Sequence, residues 1–351
     1  MILDDIITNI RPLDENAMRA VRARQDRLTK PQGSLGRLED LSVQIAGMTG
    51  QTAIHIQHKV VTVMAGDHGV TAEGVSAYPS EVTPQMVENF LNGGAAINVL
   101  ARLVGARVVV ADLGVAVDIA PHPGLIVKKI GYGTGNIVRE AAMSREQALA
   151  AVLAGAEVVA AEAKQGLDIL VPGDMGIGNT TPSAAIAASI LGKSAGEVVG
   201  RGTGVDDAGW QRKVQAVEAA LERHHPNPND RLDVLAKVGG FEIGGMAGAM
   251  LMAASRRVPI LLDGFISTAA ALLAVKIAPG AQAYMIAAHR SQERGHMLML
   301  EWLGLAPLLD LNLRLGEGSG AALALPLVEA ACKLLTDMAT FGEAGVSEKD
   351  V

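Results

Sequence analysis

Short apolar runs alternate along the chain with longer Ala-rich stretches, and this pattern predicts strands and helices in turn. Runs rich in β-branched or bulky residues, most of them ending at Gly, Pro or Asp, predict strands over residues 60–65, 107–114, 167–172, 258–264 and 281–288. The intervening stretches PSAAIAASIL, GGMAGAMLMAAS and STAAALLAV predict helices. Alternation of this kind favours βαβ units and a parallel sheet covered on both faces.

The two ends of the chain show helical patterns without strands. Residues 14–28 and 36–48 predict helices, and the region after His289 is mostly helical in pattern. We therefore expect an α/β fold with a doubly wound, Rossmann-like parallel sheet in a large domain of residues 51–289. Residues 1–50 plus 290–351 are expected to form a small helical subdomain, with part of the C-terminal segment returning to the site.

Composition narrows the class of protein. Of the 351 residues 49% are hydrophobic but only 3% are aromatic, so the core is expected to be aliphatic. The net charge of -7 argues against a nucleic-acid binder. The single cysteine, Cys332, excludes an intramolecular disulfide, is expected to be a buried packing residue, and fits a reducing cytoplasm. Neither a signal peptide nor an uncharged apolar run of about 18 residues is visible, so no membrane span is expected.

Polar or glycine-rich segments follow several predicted strands. They are GDHGV, GDMGIGNTTPSAA, DGFIS and HRSQERGH. In an open parallel sheet, ligands bind beyond the carboxyl ends of the strands. We therefore expect the site to be built from these segments.

Two glycine-rich segments favour an anion site. In GDMGIGNTTPSAA, glycines and Thr hydroxyls precede Pro182 at the start of a predicted helix, where backbone N–H groups attract anions. GRGTG, residues 200–204, precedes a second helix that contains Lys213. Neither segment matches a Walker A or GxGxxG motif. An ordinary capped turn and a solvated lysine remain the alternatives at this point.

Two other features have simpler interpretations. The five glycines of GGFEIGGMAGAM are expected to allow close packing of a helix against neighbouring backbone. His68, Asp67 and Asp263 suggest a metal site only weakly, because no His/Cys cluster shows ligand spacing. We therefore expect no metal.

Several long motifs resemble one enzyme family. KPQGSLGRLEDL, GDHGV, GNTTPSAA, KVGGFEIGGMAG, LLDGFIS and RLGEGSGAALALPLVEAA occur in consistent order between about residue 30 and residue 331. Together they resemble the nicotinate-nucleotide–dimethylbenzimidazole phosphoribosyltransferases. The resemblance implies transfer of the phosphoribosyl group of nicotinate mononucleotide to 5,6-dimethylbenzimidazole, giving nicotinate and α-ribazole 5′-phosphate for the lower ligand of cobalamin. It also implies a homodimer without a metal or organic cofactor.

The resemblance also implies roles for individual residues. Glu317 is expected to be the general base, and a carboxylate next to an apolar ring would have a raised pKa. Asp174 is expected to contribute to catalysis, although some family members carry glutamate there and the role of the shorter side chain is open. The donor phosphate and nucleotide are assigned to Gly176, Gly178, Asn179, Thr180, Gly202, Lys213, Asp263 and Ser291. The acceptor base is assigned to Tyr78, Met86, Met175 and Leu315.

Two other functions compete with this expectation. An NAD(P)-dependent oxidoreductase would need a GxGxxG turn with an acidic residue about 20 positions on, and none is properly placed. A non-catalytic sensor of nucleotide or benzimidazole would use the same pocket. Only Glu317 argues against a sensor, since a pure binder would not require a general base.

Overall fold

A single parallel sheet organises residues 2–347, which the computed structural model describes. Its strands are β1 Lys59–Gly66, β2 Ala106–Gly114, β3 Leu125–Val127, β4 Ile169–Met175, β5 Ile260–Leu262 and β6 Met285–Ala287. Their order is β3-β2-β1-β4-β5-β6, with every pair parallel. From β1 the chain adds β2 and β3 toward one edge of the sheet. It then crosses back and adds β4, β5 and β6 toward the other edge. The predicted doubly wound sheet is therefore confirmed.

Helices connect and cover these strands. They are α1 Leu3–Asn9, α2 Glu15–Gln25, α3 Arg37–Thr49, α4 Val82–Leu91, α5 Ala96–Val104, α6 Arg145–Glu162, α7 Thr180–Leu191, α8 Ala195–Val198, α9 Asp207–His224, α10 Asp233–Val238, α11 Phe241–Ser255, α12 Phe265–Ile277, α13 His296–Trp302, α14 Ser319–Asp337 and α15 Phe341–Ala344. Short 3₁₀ helices cover Gly69–Glu73, Ala163–Gln165 and Pro279–Tyr284. The predicted helices of residues 14–28 and 36–48 correspond to α2 and α3.

The strands differ from the sequence prediction in four main places, and one is β5, which covers only Ile260–Leu262 of the predicted run 258–264. β4 continues past Pro172, because Gly173 to Met175 still pair in register with Val63 to Ala65 of β1. The run 281–288 is a strand only at its end, since the 3₁₀ helix Pro279–Tyr284 takes up its first half. The edge strand β3 was not predicted, because three residues carry too little pattern to be recognised.

The core is aliphatic and the sheet is covered on both faces. All eight residues of β1 are buried, which a strand achieves only when layers pack on both sides. Helices α6 and α11 pack closely, and a Cβ on Gly155 would collide with the carbonyl of Gly245. A Cβ on Gly248 would likewise collide with the carbonyl of Val152. The expected close packing against neighbouring backbone is therefore confirmed for Gly248, whereas a Cβ on Gly244 or Gly245 would meet side chains.

Helices from the two ends of the chain meet at α14. This helix packs against α3 and α2, and also against α5, β4 and β5 of the sheet region. The division into domains at residues 50 and 290 stays a prediction. Within residues 2–347, α14 is the one helix that is long and apolar enough to span a membrane, judged by length and composition. Of its most apolar 18 residues, 56% are buried inside the protein. Cys332 lies on its buried face.

Candidate active site

A cavity of about 540 Å³ opens beside the carboxyl end of β4. The strand order reverses between β1 and β4, because the strands that follow β1 lie on one side and those that follow β4 lie on the other. This crevice is where doubly wound sheets bind ligands. Most of the predicted site residues line it: Tyr78, Met86, Asp174, Met175, Gly176, Asn179, Thr180, Gly202, Asp263, Ser291, Leu315 and Glu317.

Gly178 and Lys213 are the predicted site residues that do not line the cavity. Gly178 has φ +89°, and a Cβ there would lie 2.7 Å from the Thr71 side chain, so its role is to turn the loop. Lys213 is buried in α9, and its Nζ donates to Thr180 Oγ1 at 2.8 Å. The alternative of a solvated lysine is therefore wrong.

Glu317 lies in a loop of left-handed backbone immediately before α14. Gly316, Glu317 and Gly318 have φ values of +88°, +65° and +90°. A left-handed conformation is strained for a non-glycine residue, so surrounding contacts must hold Glu317 there. One contact is with β4, where Gly173 lets the loop lie directly on the strand: a Cβ on Gly173 would be 2.5 Å from the Glu317 carbonyl oxygen.

The carboxylate of Glu317 is anchored at the start of a helix. Its Oε2 accepts a hydrogen bond from the backbone N–H of Ile97, in the first turn of α5, at 3.1 Å. Burial raises the pKa of Glu317, the Ile97 hydrogen bond opposes that rise, and the charge of Asp263 adds to it. A carboxylate with a raised pKa at a cavity wall is a stronger base than an ordinary exposed carboxylate.

Asp174 lies at the end of β4 beside this loop. Its Oδ2 accepts a hydrogen bond from Asn179 Nδ2 at 2.9 Å. Burial raises the pKa of Asp174 to about 8, and the neighbouring charges of Asp263, Glu242 and Glu317 add to the rise. Asp174 therefore holds a proton near neutral pH in the free protein and offers a neutral hydrogen-bonding group.

One end of the cavity, built from the loops that lead into α7 and α9, carries groups that suit an anion. Thr180 begins α7, and its hydroxyl receives the Lys213 ammonium. Gly202 approaches both groups so closely that a Cβ would lie 2.6 Å from each of Lys213 Nζ and Thr180 Oγ1. Arg314 Nη1 donates to the Gly202 carbonyl at 2.9 Å. Burial lowers the pKa of Lys213 to about 8, and the charge of Glu293 opposes that shift. A buried ammonium next to the first residue of a helix is chemically suited to bind a phosphate.

The opposite end of the cavity is apolar. Val82 and Met86 stand one turn apart on α4 and face the cavity together with Tyr78, Met175 and Leu315. Tyr78 and Leu315 are each 56% exposed, so this end is open to solvent. Such a wall suits a flat apolar ring, which aromatic and thioether side chains contact favourably.

The loop after β6 is held by a neutral histidine. His296 Nδ1 accepts a hydrogen bond from the Ser291 N–H at 2.9 Å, and its Nε2 lies 3.0 Å from Thr268 Oγ1. Burial lowers the pKa of His296 to about 3, and nearby His289 lowers it further. The ring therefore stays uncharged and fixes Ser291 at the cavity wall.

Three ionisable side chains that line the cavity were not among the residues predicted from the sequence: His289, Glu293 and Arg314. All three lie in segments that were flagged, HRSQERGH and RLGEGSG. For His289 and Glu293 the available signal was their position after β6, whereas Arg314 lies in a motif of the family resemblance. Pattern alone did not say which side chain of each segment faces the cavity.

His68 pairs with a carboxylate and is not part of a cluster of metal-ligating side chains among the described residues. Its Nε2 lies 2.7 Å from Glu242 Oε1, and both side chains are buried. Burial lowers the pKa of His68, but the charges of Glu242 and Asp67 outweigh burial and the net pKa is raised. Among residues 2–347, no group of three or more His, Cys, Asp or Glu is arranged to hold a metal ion.

Comparison with known proteins agrees with this geometry. A family model described as phosphoribosyltransferase matches residues 10–346. The chain is 58% identical over 348 residues to the nicotinate-nucleotide–dimethylbenzimidazole phosphoribosyltransferase of Chloroflexus aurantiacus, with 99% of each protein covered. This chain belongs to that phosphoribosyltransferase family. The enzyme of the same name from Roseiflexus sp. is 61% identical over 348 residues, again with 99% of each covered.

Solved structures extend the family match to the fold. The crystal structure of the phosphoribosyltransferase of the same name from Thermus thermophilus superimposes with a TM-score of 0.92 at 48% sequence identity. The match covers 96% of this chain and 100% of that one. This phosphoribosyltransferase therefore shares the family fold over nearly its whole length.

Proposed function

We propose that this phosphoribosyltransferase moves the 5-phosphoribosyl group of nicotinate mononucleotide to 5,6-dimethylbenzimidazole. The products are α-ribazole 5′-phosphate and nicotinate, with inversion at the anomeric carbon, and the nucleotide serves as the lower ligand of cobalamin. The family membership and the names of the full-length relatives support this reaction. A cavity with one anion-binding end and one apolar end fits its two substrates.

The observation that carries the proposal is the position of Glu317. The residue is 6% exposed and lines the same cavity as the apolar wall and the anion-binding end. One nitrogen of the benzimidazole gives its proton to Glu317, and the lone pair of the other nitrogen attacks the ribose carbon. The bond from that carbon to the nicotinate nitrogen breaks, and its electron pair neutralises the positively charged ring. General-base assistance of this kind contributes typically about 10²–10⁴-fold.

The donor is proposed to bind through its phosphate. Lys213 and Thr180 form a buried pair, and Gly202 lies directly over them. Fixing the phosphate there places the ribose toward Asp174 and Ser291, which line the cavity. Protonated Asp174 would bind a ribose hydroxyl or the ring oxygen as a hydrogen-bond donor, a role consistent with its raised pKa. Holding both substrates in one orientation lowers the barrier by removing translational freedom before reaction.

The acceptor is proposed to lie against Tyr78, Met86, Met175 and Leu315. These side chains offer apolar contact area, and such contact does not select strongly for the two methyl groups. The pocket therefore fits dimethylbenzimidazole and related flat bases, and acceptor preference has to be measured with a panel that includes adenine and phenols.

We further propose that the protein is a homodimer in the cytoplasm. Two large apolar side chains on one face of α5, Val99 and Leu103, are 54% and 75% exposed. Burying them against a second copy would remove apolar surface from water. Sedimentation velocity at several protein concentrations tests this, and a mass of one chain at every concentration would contradict it.

The first experiment is direct assay of product. Purified protein is incubated with nicotinate mononucleotide and 5,6-dimethylbenzimidazole, and nucleotides are followed by chromatography and mass. We expect α-ribazole 5′-phosphate from the wild type and a rate lower by a factor of about 100 or more in Glu317→Gln, as for loss of a general base. Glu222→Gln, an exposed position on α9, is the matched control. A wild type that binds the mononucleotide but makes no product with any base is a non-catalytic binder, and the proposal then fails.

A further inference from the structure

The carboxylate of Glu293 lies inside the loop that lines the anion-binding end. Its Oε1 accepts a hydrogen bond from the Gly202 N–H at 2.9 Å, and the residue is 6% exposed. Its Oε2 is buried and has no hydrogen-bond partner in the described part of the chain. A Cβ on Gly200 would collide with that oxygen, so the loop backbone closes around the carboxylate. Leaving a buried carboxylate oxygen unpaired is costly, so this oxygen has capacity for a further hydrogen-bond partner.

Glu293 and Lys213 face the same small space without contacting each other. The Glu293 charge raises the pKa of Lys213 against the effect of burial, so the two groups are electrostatic neighbours. The only hydrogen bond that Lys213 Nζ makes to another described residue is to Thr180 Oγ1. An ammonium has three donors. A phosphate monoester would use the remaining donors of Lys213 and the N–H of Gly202, which Glu293 now occupies.

A second cavity gives the carboxylate somewhere to move. It has a volume of about 620 Å³ and is lined by Gly200, Arg201 and Gly204, whereas Gly202 and Thr203 line the first cavity. Glu293 and Arg314 line both cavities. Arg201 and Arg294 also line the second one. Arg201 is already paired with Asp207, which also lines this cavity. A carboxylate that leaves Gly202 would therefore pair with Arg294 or Arg314, since guanidinium groups bind carboxylates well.

Gly202, Thr180 and Lys213 together form what we term the phosphate cradle. We propose that Glu293 is an internal counter-anion that occupies this cradle in the free protein and is displaced by the phosphate of the donor. The inference rests on the proposed function in one respect, that the cradle takes a phosphomonoester. Glu293 then acts as a specificity-determining residue. Only an anion that engages both Gly202 and Lys213 replaces it, whereas an uncharged nucleoside leaves it in place.

Binding of inorganic phosphate tests this without the transfer reaction. Calorimetric titration compares the wild type, Glu293→Gln and Glu301→Gln, an exposed charge-matched control on α13. The amide oxygen of glutamine still accepts from Gly202, but the repulsion of the incoming phosphate is gone. We expect the Kd of Glu293→Gln to fall by about tenfold, as for removal of a nearby like charge, and that of Glu301→Gln to equal the wild type. An unchanged or higher Kd for Glu293→Gln overturns the inference, as does a wild type that binds no phosphate.

A second measurement does not depend on the variant folding. In a crystal structure of the wild type with phosphate, the anion should contact Gly202 N and Lys213 Nζ, with Glu293 no longer bonded to Gly202. Persistence of the Glu293–Gly202 hydrogen bond beside bound phosphate overturns the inference. The product assay separates the two proposals: if the wild type forms product while Glu293→Gln binds phosphate no more tightly, only the inference fails. If the Glu293 effects appear but no product forms, only the transfer reaction fails.

Discussion

Asp263 accepts a hydrogen bond from the backbone N–H of Gly318, the residue directly after Glu317, at 3.2 Å. Its other oxygen accepts from the N–H of Ala321 at 3.0 Å. One buried carboxylate at the end of β5 thus caps α14 and holds the backbone that carries the proposed base. Satisfying free N–H groups at a helix start stabilises the helix, and here it also fixes a left-handed loop.

Replacing Asp263 with Asn should lower both stability and rate. The amide turns one acceptor oxygen into a donor that faces a backbone N–H, so a buried hydrogen bond is lost and two donors oppose each other. We expect the free energy of unfolding to fall by about 1–3 kcal/mol, measured in urea, and kcat to fall with it. Asp26→Asn, an exposed position after α2, should change neither quantity. Wild-type stability in Asp263→Asn would contradict the capping role.

Replacing Lys213 with Met should weaken donor binding selectively. The apolar chain fills the buried space but removes the charge-assisted bonds proposed for the phosphate. We expect the KM for nicotinate mononucleotide to rise by about 10–100-fold, as for a hydrogen bond to a charged group, while the KM for dimethylbenzimidazole stays within about twofold. Lys193→Met, exposed beyond α7, is the matched control. An equal rise in both KM values would place Lys213 outside the phosphate site.

Replacing Gly318 with Ala should destabilise the Glu317 loop. Gly318 has φ +90°, and a Cβ would lie 2.8 Å from Val61 Cγ1 and 3.2 Å from Val171 Cγ1. We expect a loss of about 1–3 kcal/mol in the free energy of unfolding, from strain and crowding together. Gly196→Ala is the control, because a Cβ in α8 meets nothing within 4 Å and should be neutral or slightly stabilising. Equal stability of the two variants would rule out a strained position at Gly318.

Replacing Asp174 with Asn should change how stability depends on pH. The folded pKa of about 8 lies above the ordinary value of 3.8, so between these two values the folded state keeps a proton that the unfolded state has lost. Asp174 therefore stabilises the fold at low pH, and its contribution falls as pH rises toward about 8.

Asn cannot titrate. The difference between the free energies of unfolding of Asp174→Asn and the wild type should therefore shift in favour of the variant from about pH 4 to about pH 8, and it should stay constant above that pH. We expect a relative gain of at least about 1.4 kcal/mol, the equivalent of one pKa unit. Urea unfolding at each pH measures it, with the exposed Asp5→Asn as control. Parallel profiles for Asp174→Asn and the wild type would show that the Asp174 pKa is not raised.

The sequence by itself determined the class of sheet and where the site would lie. Periodicity predicted the parallel strands because a buried strand needs an unbroken apolar run, as in β1. The polar segments after the strands predicted the cavity because parallel strands end at one edge of the sheet. Gly202 and Lys213, far apart from Thr180 in the chain, were also predicted together, and their close approach agrees with that.

Only the tertiary structure decided how these groups affect one another. A long-range contact supplies each property: Ile97 anchors Glu317, and burial among carboxylates raises the pKa of Asp174. The hydrogen bond from the Gly202 N–H to Glu293 joins residues that are 91 positions apart in the chain. Local pattern records which residue types are present and their spacing along one element. Burial and charge depend on neighbours that folding brings from elsewhere in the chain, so the pKa shifts and the contact between Glu293 and Gly202 could not be read from the sequence.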